Sequence, residues 1–204
     1  MNISSRSLFT ICDNFFLVFH NSILPSVRIQ MRIRVLPFFV VHSQGVIILK
    51  KLILVRHGVD EGGRDDHLTE TGRRQITDIA KKLVQHVNGS SILMLASTAL
   101  RAIDSAEILS KMLEISFEPQ DLLWSGGGGK VYPDISDFEK LMEIVSNHPS
   151  SADVVVFVTH YEYVDEFPEW FGRKHLNASL RGRVIPRGTA FLIDCEQKQM
   201  TYVK

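Results

Sequence analysis

Two arginines and two histidines follow apolar runs of this chain. Arg56-His57-Gly58 comes directly after Leu52-Ile53-Leu54-Val55, and Thr159-His160 directly after Val154-Val155-Val156-Phe157-Val158. Arg101 lies one helical turn past Ser97, which ends the run starting at Ile92. Arginine offers a planar fork of donors that fits phosphate oxygens in pairs and stays charged at any ordinary pH. A neutral histidine can attack phosphorus and split one difficult hydrolysis into two easier displacements. A second histidine can neutralise charge on the transferring group and help hold it. Gly58 lets the backbone pass close to a ligand. Phosphoryl transfer asks mainly for positioning and electrostatic stabilisation, so Arg56, His57, Arg101 and His160 form a candidate catalytic set that requires neither metal nor cofactor.

For these residues to meet, the runs before them must be neighbouring strands. Val46-Ile47-Ile48 and Leu52 to Val55 bracket a lysine pair and read as one buried strand. Thr69 is a good N-cap for a helix carrying Ile76, Ile79, Ala80, Leu83, Val84 and Val87, with Gly89 placed to end it. Ile92 to Ala96 is a second strand, Ala99 to Leu113 a second helix, and Ile115 to Phe117 a short strand. Gly126 to Gly129 reads as a mobile loop and, with no Gly-Lys-Thr or Gly-Lys-Ser after it, not as a P-loop. A third helix over Ile135 to Ser146, the Val154 to Val158 strand and a helix over Val164 to Phe171 follow. Arg183 to Ile185, Thr189 to Asp194 and Met200 to Val203 read as terminal strands. Such alternation implies an α/β protein, three-layer α/β/α, with a mostly parallel central sheet. Ligands of open parallel sheets bind beyond the carboxyl ends of the strands, where the four residues gather.

The totals set the context. Lys plus Arg and Asp plus Glu number 23 each in 204 residues, so no global field draws the protein to nucleic acid, and any cationic pocket must be local. Cys12 and Cys195 are far apart and form neither a disulfide framework nor a zinc motif; they read as free thiols of a cytoplasmic protein. Residues 1–45 differ from the rest, with Arg6, Arg28, Arg32 and Arg34 against one acid, Asp13. Asp13, Asn14, His20 and Asn21 interrupt the apolar stretch from Leu8 to Leu24, so stable membrane insertion is not expected. A poor targeting segment, a loosely docked extension and sequence upstream of a start at Met31 all stay open for this extension. Residues 46–204 form the expected catalytic domain.

The blocks Leu54-Val55-Arg56-His57-Gly58, Leu68-Thr69-x-x-Gly72-x-x-Gln75, Ser97-x-x-x-Arg101-Ala102-x-x-Ser105-Ala106 and Val158-Thr159-His160 occur in that order. Together they resemble the signatures of the histidine phosphatase superfamily, also called phosphoglycerate-mutase-like, from about Lys51 onward. The resemblance implies a phosphoglycerate-mutase-like fold and a phosphohistidine intermediate on His57. It also implies a phosphate pocket of Arg56, Gly58, Arg101 and His160. Mutase-related members usually continue Arg-His-Gly with Glu-Thr, where this chain has Val59 and Asp60. They also carry an insertion bearing an acidic proton donor, for which the span from Glu118 to Asp153 offers no match. The compact layout is closer to the short bacterial phosphohistidine phosphatases.

A phosphorylated small molecule or a phosphohistidine protein is therefore the expected partner. Asp60, Glu118, Asp121 and Glu162 are candidate proton donors, with Glu162 and Asp121 favoured by position; an ordinary surface carboxylate would look the same. Arg181, Arg183 and Arg187 read by default as a solvated, charge-protected edge. A phosphate-binding module that scaffolds a phosphorylated partner without turnover is the alternative to an enzyme.

Overall fold

Alternate residues of the strand Lys51–Arg56 (β3) enter two different cores, and this sets the layering. Leu52 and Leu54 pack on one side of the sheet, Ile53 and Val55 on the other, and all four are completely buried. The computed structural model describes residues 40–42, 45–47, 49–62, 66–125, 132–182 and 185–204.

The central sheet runs β5 (Glu118–Gln120), β4 (Ile92–Ser97), β6 (Val154–Thr159), β3, β7 (Ala190–Asp194), β8 (Gln199–Val203). The pairings from β5 through β3 are parallel, and those of β7 with β3 and of β8 with β7 are antiparallel. Helices α1 (Glu70–Val87) and α2 (Leu100–Leu113) cover one face through Ile76, Ile79, Leu83, Ala102, Ala106 and Leu109. Helices α3 (Ile135–Asn147) and α4 (Tyr161–Phe171) cover the other through Phe138, Leu141, Met142, Val164, Phe167 and Phe171. The expected three-layer α/β/α fold with a mostly parallel sheet is what forms. Phe167 stacks on Phe171 at 5.9 Å between ring centroids, and Phe138 meets Phe167 edge-on at 5.2 Å, so these aromatics are core.

Some boundaries differ from expectation. The run from Val46 to Val55 is not one strand. The amides of Lys50 and Lys51 both donate to the Asp153 carbonyl, at 2.8 and 3.1 Å, and the main ladder starts there. The preceding residues form a separate antiparallel ribbon, β1 (Val40–His42) with β2 (Gly45–Ile47). The short strand expected at Ile115 to Phe117 lies at Glu118–Gln120, because Glu114 takes a left-handed conformation (φ 56°) and Ile115 still donates to the last turn of α2. The glycine run Gly126 to Gly129, Cys12, and Arg183 with Val184 of the third-from-last expected strand lie outside the described residues. Cys195 is free and buried, and burial pushes its thiol up to about 12.

The start of α1 is clamped onto the loop that follows β3. Thr69 caps the helix, its Oγ1 accepting from the Gly72 amide at 3.1 Å and donating to the Val59 carbonyl at 3.0 Å. The contact is so close that a Cβ on Gly72 would stand 2.1 Å from the Val59 oxygen, and one on Gly58 would stand 2.6 Å from the Gly72 oxygen. Gly72→Ala is therefore expected to destabilise the protein by about 2 kcal/mol or more in urea unfolding, since backbone rather than a flexible side chain must move. An unchanged midpoint would show that this clamp yields freely.

Candidate active site

Register brings the two histidine segments together. Arg56 pairs with Thr159 across the parallel β3–β6 ladder, and the His57 amide donates to the Thr159 carbonyl at 3.0 Å. His57 and His160 thus leave adjacent strand ends with their rings 5.1 Å apart and inclined at 61°. Arg101 enters from the first turn of α2. All three are buried, His57 at 4%, His160 at 2% and Arg101 at 8% exposure.

The hydrogen bonds assign the imidazole tautomers. His57 Nδ1–H donates to the Gly58 carbonyl at 2.8 Å, so its Nε2 carries the lone pair, which accepts from Arg101 Nε at 3.3 Å. Arg101 Nη2 donates to His160 Nδ1 at 3.3 Å. The His160 proton is then on Nε2, donating to Ser97 Oγ at 2.8 Å. One guanidinium thus addresses a lone pair on each histidine, and both imidazoles are neutral. Burial first, and then the positive charge of Arg101 and Arg187, lowers His57 to about 4. Burial, His57 and the two arginines Arg101 and Arg56 hold His160 well below the usual histidine range.

Arg56 completes the expected group from the end of β3. Its Nη1 donates to the Ile185 carbonyl at 2.7 Å and its guanidinium lies 5.2 Å from the Tyr161 ring centroid. Its Nε is buried without a hydrogen-bond partner among the described residues. Gly58 donates its amide to Ser105 Oγ at 3.3 Å, and Ser105 in turn donates to the Arg101 carbonyl at 2.7 Å. That link explains the serine in the Arg101-Ala102-x-x-Ser105 block.

The candidate acids separate. Asp121 is exposed and accepts from Thr98 Oγ1 at 2.8 Å; Glu118 is exposed and meets His148 at 3.0 Å. Glu162, in the first turn of α4, accepts from the buried Ser125 hydroxyl at 2.6 Å and acts through its charge on Arg56. Asp60 lies within the histidine cluster. Its side chain is only 5% exposed, with Oδ2 3.5 Å from His57 Nδ1, 3.9 Å from Arg101 Nε and 3.6 Å from Arg187 Nη2. Arg187 is 44% exposed, yet its guanidinium reaches Asp60 and so borders the cluster. The Gly188 amide donates to the carbonyls of both His57 and Arg56, at 2.8 and 3.1 Å, and this carries Arg187 to the site. Sequence alone hides this approach, because it depends on the turn that precedes β7, 130 positions along the chain from His57 to Arg187. Among the described residues no three or more His, Cys, Asp or Glu gather as a metal site, and no helix is long and apolar enough to cross a membrane.

Comparison with known proteins agrees with this fold. Residues 52–124 match the family model of the histidine phosphatase superfamily (branch 1). The fold is that of the histidine phosphatases. A candidate phosphohistidine phosphatase, SixA, from Agrobacterium tumefaciens superposes with a TM-score of 0.51 at 16% identity, covering 72% of this chain and 92% of that one. Mycobacterial glucosyl-3-phosphoglycerate phosphatase gives 0.53 at 18%, covering 75% and 96%. A candidate SixA from Nakamurella multipartitia gives 0.50 at 20%, covering 76% and 94%. No curated protein matches the sequence. The superfamily match supports a phosphatase, and the matched segment of this histidine-phosphatase fold includes Arg56, His57 and Arg101.

The neutral state of His57 has a measurable consequence. The unfolded chain protonates this histidine near 6.5, the folded protein only near 4. Its contribution to stability is complete above pH 6.5 and is lost as pH falls through that interval to about 4. The loss is about 3 kcal/mol at about 1.4 kcal/mol per pH unit. Urea unfolding of wild type across this range should show the decline, and His57→Gln should flatten it. An equal slope in both proteins would assign the effect to other groups.

Proposed function

We propose that the domain of residues 46–204 is a metal-independent phosphatase that works through a covalent phosphohistidine on His57. Its substrate is a phosphomonoester or a protein phosphohistidine. The observation that carries this reading is the His57 tautomer: Nδ1–H is held by the Gly58 carbonyl, and the Nε2 lone pair faces the Arg101 guanidinium. A nucleophile that is already neutral needs no base to deprotonate it.

In the first step Nε2 attacks phosphorus and the bond to the leaving oxygen or nitrogen breaks, while Nδ1 keeps its proton. Arg56 and Arg101 carry the charge on the equatorial oxygens, and the buried Arg56 Nε adds a donor to that set. The phosphoryl dianion raises the proton affinity of His160, which turns this ring into a donor as charge develops. In the second step water attacks phosphorus, the Nε2–P bond breaks, and inorganic phosphate leaves.

Protonation of the leaving group falls to a carboxylic acid, and Glu162 suits the role better than Asp121. It follows His160 by two residues and acts on Arg56, whereas Asp121 is exposed and tied to Thr98. A phosphohistidine substrate needs this help least, because imidazole leaves phosphorus more readily than an alkoxide. The short form of the domain supports such a substrate. The buried free thiol of Cys195 supports a reducing cytoplasmic setting.

Rapid-quench labelling with a phosphohistidine peptide and with an aryl phosphate tests the reading. Wild type should show acid-labile label and release phosphate, and His57→Ala should do neither. Phosphate binding without label or turnover in wild type would instead favour the scaffolding module. For the acid, Glu162→Gln should lower turnover of an alkyl phosphate by about a hundredfold and that of an aryl phosphate far less. Equal losses on both would remove Glu162 from that role.

A further inference from the structure

A buried carboxylate in a pocket built for a dianion is an electrostatic contradiction unless it acts on something other than the substrate. Asp60 is such a group: its side chain is 5% exposed among His57, Arg101 and Arg187. Its backbone is fixed from both sides. An isolated bridge pairs Asp60 with Leu68, the Val59 carbonyl accepts from the Thr69 amide at 2.9 Å, and the Glu61 amide donates to the His67 carbonyl at 3.2 Å. These bonds tie the Asp60 backbone to the start of α1.

Resting on the phosphohistidine reading above, we propose that Asp60 is a positioning residue. It holds the His57 ring from its Nδ1 side and supplies the counter-charge for the imidazolium that forms when Nε2 takes the phosphoryl group. The electron count requires such a charge. When the Nε2 lone pair becomes the N–P bond and Nδ1 keeps its proton, the ring becomes cationic, and the pair returns to Nε2 when water displaces it. The Gly58 carbonyl offers Nδ1–H only a dipole, whereas Asp60 Oδ2 at 3.5 Å offers a full negative charge. In the free protein that charge is shared with Arg101 and Arg187. An incoming dianion draws on those arginines and leaves Asp60 to the cationic ring at the moment it forms. Asp60 flanks the ring: its Oδ2 is 3.5 Å from His57 Nδ1 and 3.9 Å from Arg101 Nε, the atom that addresses Nε2.

Asp60→Asn keeps the shape and removes the charge. With p-nitrophenyl phosphate as probe, kcat should fall by about tenfold or more. Inhibition by inorganic phosphate should stay the same or tighten, because a negative charge has left the anion pocket. Label should still appear on His57 but accumulate more slowly. Unchanged kcat, or kcat and phosphate affinity lost together with the melting temperature, would overturn the proposal. Should Asp60→Asn not fold, the exposed partner serves. Arg187→Gln frees Asp60 for His57, so the Nδ1 proton resonance in histidine-labelled protein should move downfield, and a stationary resonance would overturn the proposal. Wild type that neither labels nor turns over would instead remove the phosphohistidine reading itself, and this proposal with it.

Discussion

The parallel pairing of β3 with β6 is the constraint on which the site depends. The ladder aligns Arg56 with Thr159, and the first hydrogen bond beyond it, from the His57 amide to the Thr159 carbonyl, fixes the start of the loop that carries His57. Side chains alternate with a period of two, so a slip of one residue would move His57 to the opposite face from His160 and Arg101. Burial on both faces makes that slip expensive. Leu52, Ile53, Leu54 and Val55 in β3, and Val155, Val156, Phe157 and Val158 in β6, are completely covered. The apolar core therefore specifies the position of a polar site it does not touch.

A second constraint follows from burial. Two histidines with almost no access to water and an arginine between them cannot all be charged at moderate cost. The structure resolves this by keeping both rings neutral and directing one guanidinium at both lone pairs. The resting hydrogen bonds are long, at 3.3 Å each, while the bonds that orient the rings from behind are 2.8 Å. Orientation is tight and the ligand-facing contacts are loose. Under the phosphatase reading, such an arrangement would let Arg101 exchange its contacts for phosphate oxygens with little rearrangement of the imidazoles.

Local patterns in the sequence identified the elements and the four central residues because each block sits at a strand end or in a first helical turn. The Thr69 cap, the glycine that ends α1 (Gly89, φ 73°) and the fully buried Val154–Thr159 strand all follow from residue type and spacing. Other features are set by distant partners. Whether Val46 to Val55 is one strand or two depends on the Asp153 carbonyl, about a hundred positions away. Arg187 reads as a surface cation until the Gly188 amide is seen on the carbonyls of Arg56 and His57. Asp60 is one acid among several until its bridge to Leu68 buries it. Spacing reveals strands and caps, but not which loops close over a strand end.

Those two loops converge on a single side chain. Gln75 Oε1 accepts from the Val59 amide at 3.1 Å, and Gly188, with φ 68°, lies so near that a Cβ there would stand 2.5 Å from the Gln75 Cβ. Gln75 is half-buried next to the buried Ile76 of α1, whose start is fixed by the Thr69 cap and the Gly72 approach. The Leu68-Thr69-x-x-Gly72-x-x-Gln75 block thus lies outside the histidine cluster and yet helps set where Asp60 and Arg187 stand. It fixes the loop of His57 and Asp60 and borders the turn that presents Arg187.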